Sequence, residues 1–197
     1  MSIKGLGKEE FIRRFNLHVV ASSSHNYKHH TPLKPAAVLI GLVENTKPEK
    51  GLNIILTKRA SHLKHHPSQI SFPGGKAETS DKNLIETALR EAQEEIGLCP
   101  TTVTIIGQLP SYETISGFLV TPIIGMVKRN QSFTIDYNEV SEVFQVPLNH
   151  YLSKQNHHSI EVCKQGETFN IHFLPYQQYN IWGATASILK DLVLHVS

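Results

Sequence analysis

The segment 84–96, LIETALREAQEEI, constrains the fold and chemistry of this chain more than any other part of it. Its apolar residues recur at helical spacing, and it is followed by Gly97, a residue type that commonly ends helices in the left-handed conformation. At about 100° per residue, Glu91, Glu94 and Glu95 share an arc of roughly 100°, and the apolar residues cover the adjacent arc. The sequence therefore predicts a helix that packs one side against a core and presents three carboxylates beside it.

These three carboxylates indicate a site for a divalent cation. Like charges three and four residues apart repel each other and destabilise an isolated helix, and a cation bound between them reverses that effect. Magnesium prefers oxygen ligands and is commonly held by one or two carboxylates together with phosphate oxygens of a substrate. Arg90 lies four residues before Glu94, so a charge-assisted hydrogen bond can fix the direction of one carboxylate. For the helix alone, the alternative is a solvated acidic face with exposed ion pairs.

The residues upstream of the helix add a glycine-rich turn to this pattern. Phe72-Pro73-Gly74-Gly75 is followed by Asp81 and then by Arg90-Glu91-Ala92-Gln93-Glu94-Glu95-Ile96-Gly97-Leu98. Paired glycines permit close backbone approach and let a loop carbonyl reach the same site. The whole stretch resembles a Nudix box, Gly-x5-Glu-x7-Arg-Glu-aliphatic-x-Glu-Glu-x-Gly-aliphatic. Asp81 stands at the first Glu of that pattern, and eight residues rather than seven separate it from Arg90.

The resemblance implies a fold, a cofactor and a set of site residues. The implied fold class is α/β (α+β), a Nudix fold over about residues 34–195 with a mixed β-sheet sandwiched between α-helices. The implied cofactor is Mg²⁺ or Mn²⁺, held by the carboxylates of Glu91, Glu94 and Glu95 and by the carbonyl of Gly75. The implied catalytic residues are Glu91, Glu94, Arg90 and, from a loop outside the box, Glu139, with Glu142 as the second choice for that loop acid.

A second motif, just before the box, narrows the implied substrate. Residues 55–75 are similar to the signature of the coenzyme A pyrophosphatase subfamily, Leu-Leu-Thr-x-Arg-Ser/Ala-x3-Arg-x3-Gly-x3-Phe-Pro-Gly-Gly. Three positions depart from it: Ile55 for Leu, Lys64 for Arg and Ser68 for Gly. Serine is strained wherever the backbone needs a positive φ. The motifs Tyr112-x-Thr114-x-Ser116-Gly117 and Ile181-Trp182-Gly183-Ala184-Thr185 also resemble that subfamily.

The subfamily resemblance implies hydrolysis of the diphosphate of coenzyme A or acyl-CoA to 3′,5′-ADP and (acyl-)4′-phosphopantetheine. A phosphate-rich ligand also suits the basic stretch 58–66, which precedes the acidic helix in the sequence. The alternative interpretation of this stretch is a solvated basic loop. Predicted substrate contacts are Arg59, Lys64, Lys58, Ser116 and Gly117. Two other functions stay open: a Nudix pyrophosphatase for another nucleoside diphosphate derivative, such as an NDP-sugar or an oxidised dNTP, and a non-catalytic nucleotide-binding module.

Around this site the chain is predicted to form one compact domain, residues 34–197, preceded by an N-terminal helix and connector, residues 1–33. The helix is predicted over 8–20 and the irregular connector over 21–35, because the latter is polar and contains two prolines. Apolar runs predict strands at 36–43, 52–57, 103–109, 118–127, 143–146, 160–162 and 169–174. A last helix is predicted over 183–194.

Composition limits the partners of this domain. In 197 residues the net charge is +2, which gives no footprint for nucleic acid or for an anionic membrane. The longest apolar run, 36–43, is far shorter than the roughly 20 residues of a membrane span. Two cysteines without paired spacing favour a reducing compartment. We therefore expect a cytoplasmic monomer or homodimer with a small-molecule substrate.

Overall fold

The computed structural model describes residues 5–18, 32–47, 51–164 and 167–197. Along these segments, four strands separate the first helix from the 84–96 helix. In chain order the elements are α1 (Lys8–Leu17), β1 (Lys34–Glu44), β2 (Leu52–Arg59), β3 (Ile70–Ser71), β4 (Gly74–Lys76), α2 (Leu84–Ile96), β5 (Val103–Gln108), β6 (Tyr112–Glu113), β7 (Phe118–Val127), β8 (Val140–Pro147), α3 (Leu148–Leu152), β9 (His158–Lys164), β10 (Glu167–Phe173) and α4 (Gly183–Val196).

The centre of the molecule is a mixed sheet in which β1 and β7 run parallel, from Lys34 opposite Phe118 to Val43 opposite Val127. The strand order is β3-β2-β1-β7-β5, and β4, β6 and β8 join β1, β7 and β2 respectively, all by antiparallel pairing. The central strand β1 is buried along most of its length, which explains its nearly continuous apolar sequence, because a strand covered on both faces does not alternate.

Helices cover both faces of this sheet. On one face α2 packs through Ala88, Ala92 and Ile96 against Leu39 and Ile55. On the other face α1, α3 and α4 enclose a larger core, whose members include Phe11, Ile40, Leu42, Tyr151 and Leu189. The predicted mixed sheet between helical layers is confirmed.

The N-terminal helix belongs to the larger of these cores. Phe11 and Phe15 are buried against the sheet and α4, and the Arg14 guanidinium donates a hydrogen bond of 2.9 Å to the carbonyl of Val196. The helix ends at Leu17, before the predicted end at residue 20. Most of the predicted connector lies outside the described residues, and its last two residues, Lys34 and Pro35, are part of β1 instead.

The sequence prediction for α2 is confirmed at both ends. Asn83 caps the start of the helix, since its side-chain carbonyl accepts hydrogen bonds of 3.0 Å from the backbone amides of Ile85 and Glu86. Gly97 ends it with φ 67°, a left-handed conformation that glycine adopts without strain.

The β9–β10 hairpin forms a second, two-stranded sheet that packs against α4. The strands predicted at 143–146, 160–162 and 169–174 are longer or displaced in the structure, as β8, β9 and β10. Three strands of two or three residues, β3, β4 and β6, and the short helix α3 were not predicted, because elements this short show no periodicity. Within the described segments, no helix is both long and apolar enough to cross a bilayer.

Candidate active site

Glu95 lies almost completely buried where α2 meets the glycine-rich turn. Its side chain is only 3% exposed. The backbone amide of Gly74 donates a hydrogen bond of 3.3 Å to its Oε2, and the Arg59 guanidinium approaches its Oε1 at 3.9 Å. These two contacts compensate incompletely for the loss of water, so burial raises the pKa of Glu95 to about 8.

Glu91 lies one turn earlier on α2, against the backbone of the same turn. A Cβ added to Gly75 would lie 2.4 Å from the carboxyl carbon of Glu91, so a larger residue at this position would displace the carboxylate. The pKa of Glu91 is raised, chiefly by burial, although a hydrogen bond from Arg90 opposes the shift. The turn approaches Glu95 through the Gly74 amide and Glu91 at Gly75; the role predicted for the Gly75 carbonyl in holding a cation stays a prediction.

Arg90 joins the turn, the loop before α2 and the acidic face of α2. Its guanidinium makes a bidentate pair with Asp81 at 2.9 and 3.0 Å and donates to the carbonyl of Lys76 at 3.0 Å. It also donates to Glu91 Oε1 and Glu94 Oε2, both at 3.0 Å. Asp81, which departs from the box pattern, therefore anchors Arg90, and the pairing lowers the pKa of Asp81.

The carboxylates suit a divalent cation, although they are not arranged around one. Within the described residues, no group of three or more His, Cys, Asp or Glu side chains has the arrangement of a metal site. The Glu94 side chain is 59% exposed and pairs with Arg90. The negative charges of Glu91 and Glu139 raise the pKa of Glu95, and that of Glu139 also raises the pKa of Glu91. Buried oxygen donors with unbalanced negative charge fit Mg²⁺ or Mn²⁺.

Of the two loop acids considered from sequence, Glu139 lies near the buried carboxylates. Its charge raises the pKa of both Glu91 and Glu95, and its carbonyl accepts a hydrogen bond of 2.8 Å from the amide of Ala60. Glu142 accepts a hydrogen bond from the Tyr179 hydroxyl. The geometry therefore favours Glu139 over Glu142 as the loop acid of the site.

A cleft of about 900 Å³ opens beside the glycine-rich turn. Its walls come from the turn, the β6–β7 loop, the β9–β10 hairpin and α4. All three segments that resemble the coenzyme A pyrophosphatase subfamily, 55–75, 112–117 and 181–185, contribute residues to it. The lining includes Arg59, Tyr112, Thr114, Ser116, Trp182 and Thr185. Trp182, 40% exposed, stacks on Phe173 at 6.3 Å between ring centroids. It is available to a ligand as well as to the hairpin.

Three of the predicted substrate contacts are not among the described residues that line this cleft: Lys58, Lys64 and Gly117. Lys64 is exposed in the loop between β2 and β3. In the same loop Ser68 has φ 58°, so the position does require the left-handed conformation that the sequence comparison indicated for glycine. Arg59 and Ser116 are the two predicted contacts that the structure brings to the cleft.

The cleft residues that the sequence analysis did not predict include a polar pair, Lys190 and His172. Lys190 follows Ser187 at helical spacing on the cleft side of α4, and His172 lies on β10. The spacing on α4 offered a signal, because Ser187, Lys190 and Asp191 interrupt a mostly apolar helix. Nothing in the sequence, however, indicates that β10 brings His172 next to it.

Comparison with known proteins agrees with this geometry. The model of the NUDIX domain matches residues 33–192. An uncharacterized Nudix hydrolase NudL of Enterobacter sp. (strain 638) is 39% identical over 163 residues, 83% of each chain. Another, of Escherichia coli (strain SMS-3-5 / SECEC), is 35% identical over 196 residues, 100% of this chain and 98% of the relative.

The fold is also similar to that of solved structures. The crystal structure of a NUDIX hydrolase from Alicyclobacillus acidocaldarius superimposes with a TM-score of 0.52 at 16% identity, covering 84% of this chain and 93% of that one. The family match spans most of the chain and includes the glycine-rich turn, α2 and the cleft. The chain belongs to the Nudix family.

Proposed function

We propose that the protein is a metal-dependent Nudix hydrolase that cleaves the diphosphate of coenzyme A or acyl-CoA. The products are 3′,5′-ADP and 4′-phosphopantetheine or its acyl derivative. The observation that carries the proposal is the position of Glu91 and Glu95, two carboxylates with raised pKa that lie against the glycine-rich turn. Gly74 of this turn and Arg59, which approaches Glu95, both line the large cleft. A phosphate-rich ligand suits such a cleft because cations and metal-binding carboxylates lie side by side.

In this proposal Glu91, Glu94, Glu95 and the carbonyl of Gly75 hold Mg²⁺ or Mn²⁺. The ion, when bound, neutralises diphosphate charge and lowers the pKa of a bound water. Arg90 orients the Glu91 carboxylate through the 3.0 Å hydrogen bond. Arg59 binds the diphosphate beside Glu95, and the Glu139 carboxylate accepts the proton of the attacking water.

The segments that line the cleft favour coenzyme A over other nucleoside diphosphate derivatives as the substrate. Two segments outside the box, 112–117 and 181–185, resemble the coenzyme A pyrophosphatase subfamily, and residues of both line the same cleft as Arg59. Tyr112 and Trp182 offer aromatic surfaces to a nucleobase, which stacks on such rings.

A substrate panel tests the proposal. Coenzyme A, acetyl-CoA, ADP-ribose and dGTP are incubated with the protein, with Mg²⁺ or with EDTA, and products are separated by chromatography. We expect metal-dependent release of 3′,5′-ADP from coenzyme A and acetyl-CoA, with at least tenfold lower kcat/KM on the other two. Equal rates on all four, or a preference for ADP-ribose, would overturn the coenzyme A assignment. Absence of turnover with every substrate would favour a nucleotide-binding module.

A further inference from the structure

Lys190 and His172 form a basic pair inside the cleft. The ammonium nitrogen of Lys190 lies 3.1 Å from Nε2 of His172, and both residues line the cleft. The pKa of His172 is lowered, first by burial and then by the positive charge of Lys190. The neutral imidazole therefore accepts a hydrogen bond from Lys190, and two of the three ammonium hydrogens stay available to a ligand.

This pair lies further along α4 than the turn of the helix that contacts β3. The Thr185 hydroxyl donates a hydrogen bond of 3.0 Å to the carbonyl of Ile70, which fixes the first turn of α4 against β3. Lys190 is five residues further along α4, about 8 Å at a rise of 1.5 Å per residue. Arg59, by contrast, lies 3.9 Å from Glu95. The cleft therefore offers two cations at different places along its length.

The charge of Lys190 has no carboxylate to neutralise it among the residues that the structure describes, since none lies within 4.0 Å of the ammonium group. Asp191 also lines the cleft, but consecutive side chains leave a helix about 100° apart. A half-buried cation that faces a cleft without a paired carboxylate is suited to an anionic group of the ligand.

We propose that Lys190, held by His172, binds a second phosphate group of the substrate, a phosphomonoester attached one ribose away from the diphosphate. The inference rests on the proposed function, because coenzyme A carries such a group at its 3′ position. The 3′-phosphate contact, which distinguishes coenzyme A from dephospho-CoA, is thereby assigned to Lys190 and not to Lys64, the lysine predicted as a substrate contact from the subfamily motif. Lys190 is then a specificity residue that takes no part in the cleavage of the diphosphate.

Ligand binding tests this inference without turnover. 3′,5′-ADP and 5′-AMP, which differ by the 3′-phosphate, are titrated calorimetrically into the full chain in EDTA. We expect wild type and Lys190→Arg to bind 3′,5′-ADP roughly 10- to 100-fold more tightly than 5′-AMP, the usual range for one charge-assisted contact. Lys190→Gln should abolish that ratio. Lys154→Gln, an exposed lysine outside the cleft, should keep it. A ratio unchanged in Lys190→Gln would overturn the inference.

Kinetics separates this inference from the proposed function. The ratio of kcat/KM for coenzyme A over dephospho-CoA should fall to near one in Lys190→Gln through a loss of kcat/KM for coenzyme A, whereas Lys154→Gln should keep the wild-type ratio. If Lys64→Gln abolishes the ratio and Lys190→Gln does not, the phosphate contact is wrong although hydrolysis stands. If wild type binds 3′,5′-ADP through Lys190 but hydrolyses no coenzyme A, the binding site stands and the proposed function fails. Thermal unfolding of Lys190→Gln checks that the variant is folded.

Discussion

At the scale of single residues, the burial of the Glu95 carboxylate lowers the stability of the folded protein. Its carboxylate is buried with one backbone hydrogen bond and one distant guanidinium. With the pKa of Glu95 near 8 in the folded protein and near 4.5 in the unfolded chain, the unfolded state releases its proton first as pH rises. In metal-free protein, stability is therefore highest below about pH 4.5 as far as this group is concerned, and it is lost as pH rises toward 8.

Glu95→Gln removes this buried charge. We expect the variant to gain stability over wild type progressively between pH 5 and 8 in EDTA, by a few kcal/mol at pH 8, because the amide does not ionise. Activity at saturating Mg²⁺ should fall by orders of magnitude. Urea unfolding at a series of pH values and steady-state kinetics measure the two effects. A difference in stability that does not vary with pH, or near-wild-type kcat, would contradict this account of Glu95.

Ser68 carries a different kind of cost, in its backbone. At φ 58° the backbone of a residue with a Cβ is strained by about 1–2 kcal/mol, and glycine avoids this strain. Part of the gain is lost because glycine has greater conformational freedom in the unfolded chain. We expect Ser68→Gly to raise the free energy of unfolding by about 0.5–1 kcal/mol. Ser61→Gly, in the same loop without a positive φ, is the control and should not stabilise. Chemical denaturation of both variants measures this, and a loss of stability in Ser68→Gly would refute the strain.

At the scale of elements, the pairing of Asp81 with Arg90 connects the loop before α2 to the acidic face of α2. Asp81→Asn should reduce stability by about 1.5–3 kcal/mol, because a bidentate charged contact is lost and Arg90 stays half-buried. It should also lower kcat, since Arg90 orients Glu91. Glu78→Gln is the control: its carboxylate lies 4.0 Å from Arg90 and is 60% exposed, so both effects should be small. Equal effects in the two variants would exclude a special role for Asp81.

The elements also show what the sequence can and cannot predict. The bounds of α2 were predictable, because Gly97 and the apolar spacing are local signals. The anchoring role of Asp81 was not predictable, since the box pattern has a Glu at this position, one residue nearer to Arg90 in the sequence. The loop containing Lys64 matches the spacing of the subfamily motif, but spacing along a chain does not fix which way an irregular loop turns. Lys190 and His172 meet only because the hairpin packs on α4.

At the scale of the whole molecule, α1 is part of the principal core and not an appendage to it. Phe11 is completely buried, so Phe11→Ala should lower the free energy of unfolding by about 3–5 kcal/mol. Leu17→Ala, at a residue that is 69% exposed on the same helix, should change it by no more than about 0.5 kcal/mol. Thermal and urea unfolding compare the two. A small effect at Phe11 would mean that residues 34–197 are stable without α1.

The β9–β10 hairpin has a consequence for how enzymes of this shape diversify. It belongs to no strand pair of the main sheet in the described part of the chain, and yet residues 168–172 form one wall of the cleft. Insertions or substitutions in this ribbon can reshape the space around a ligand without moving α2 or the glycine-rich turn. The choice of ligand can therefore be altered from the hairpin while the carboxylates of α2 keep their positions.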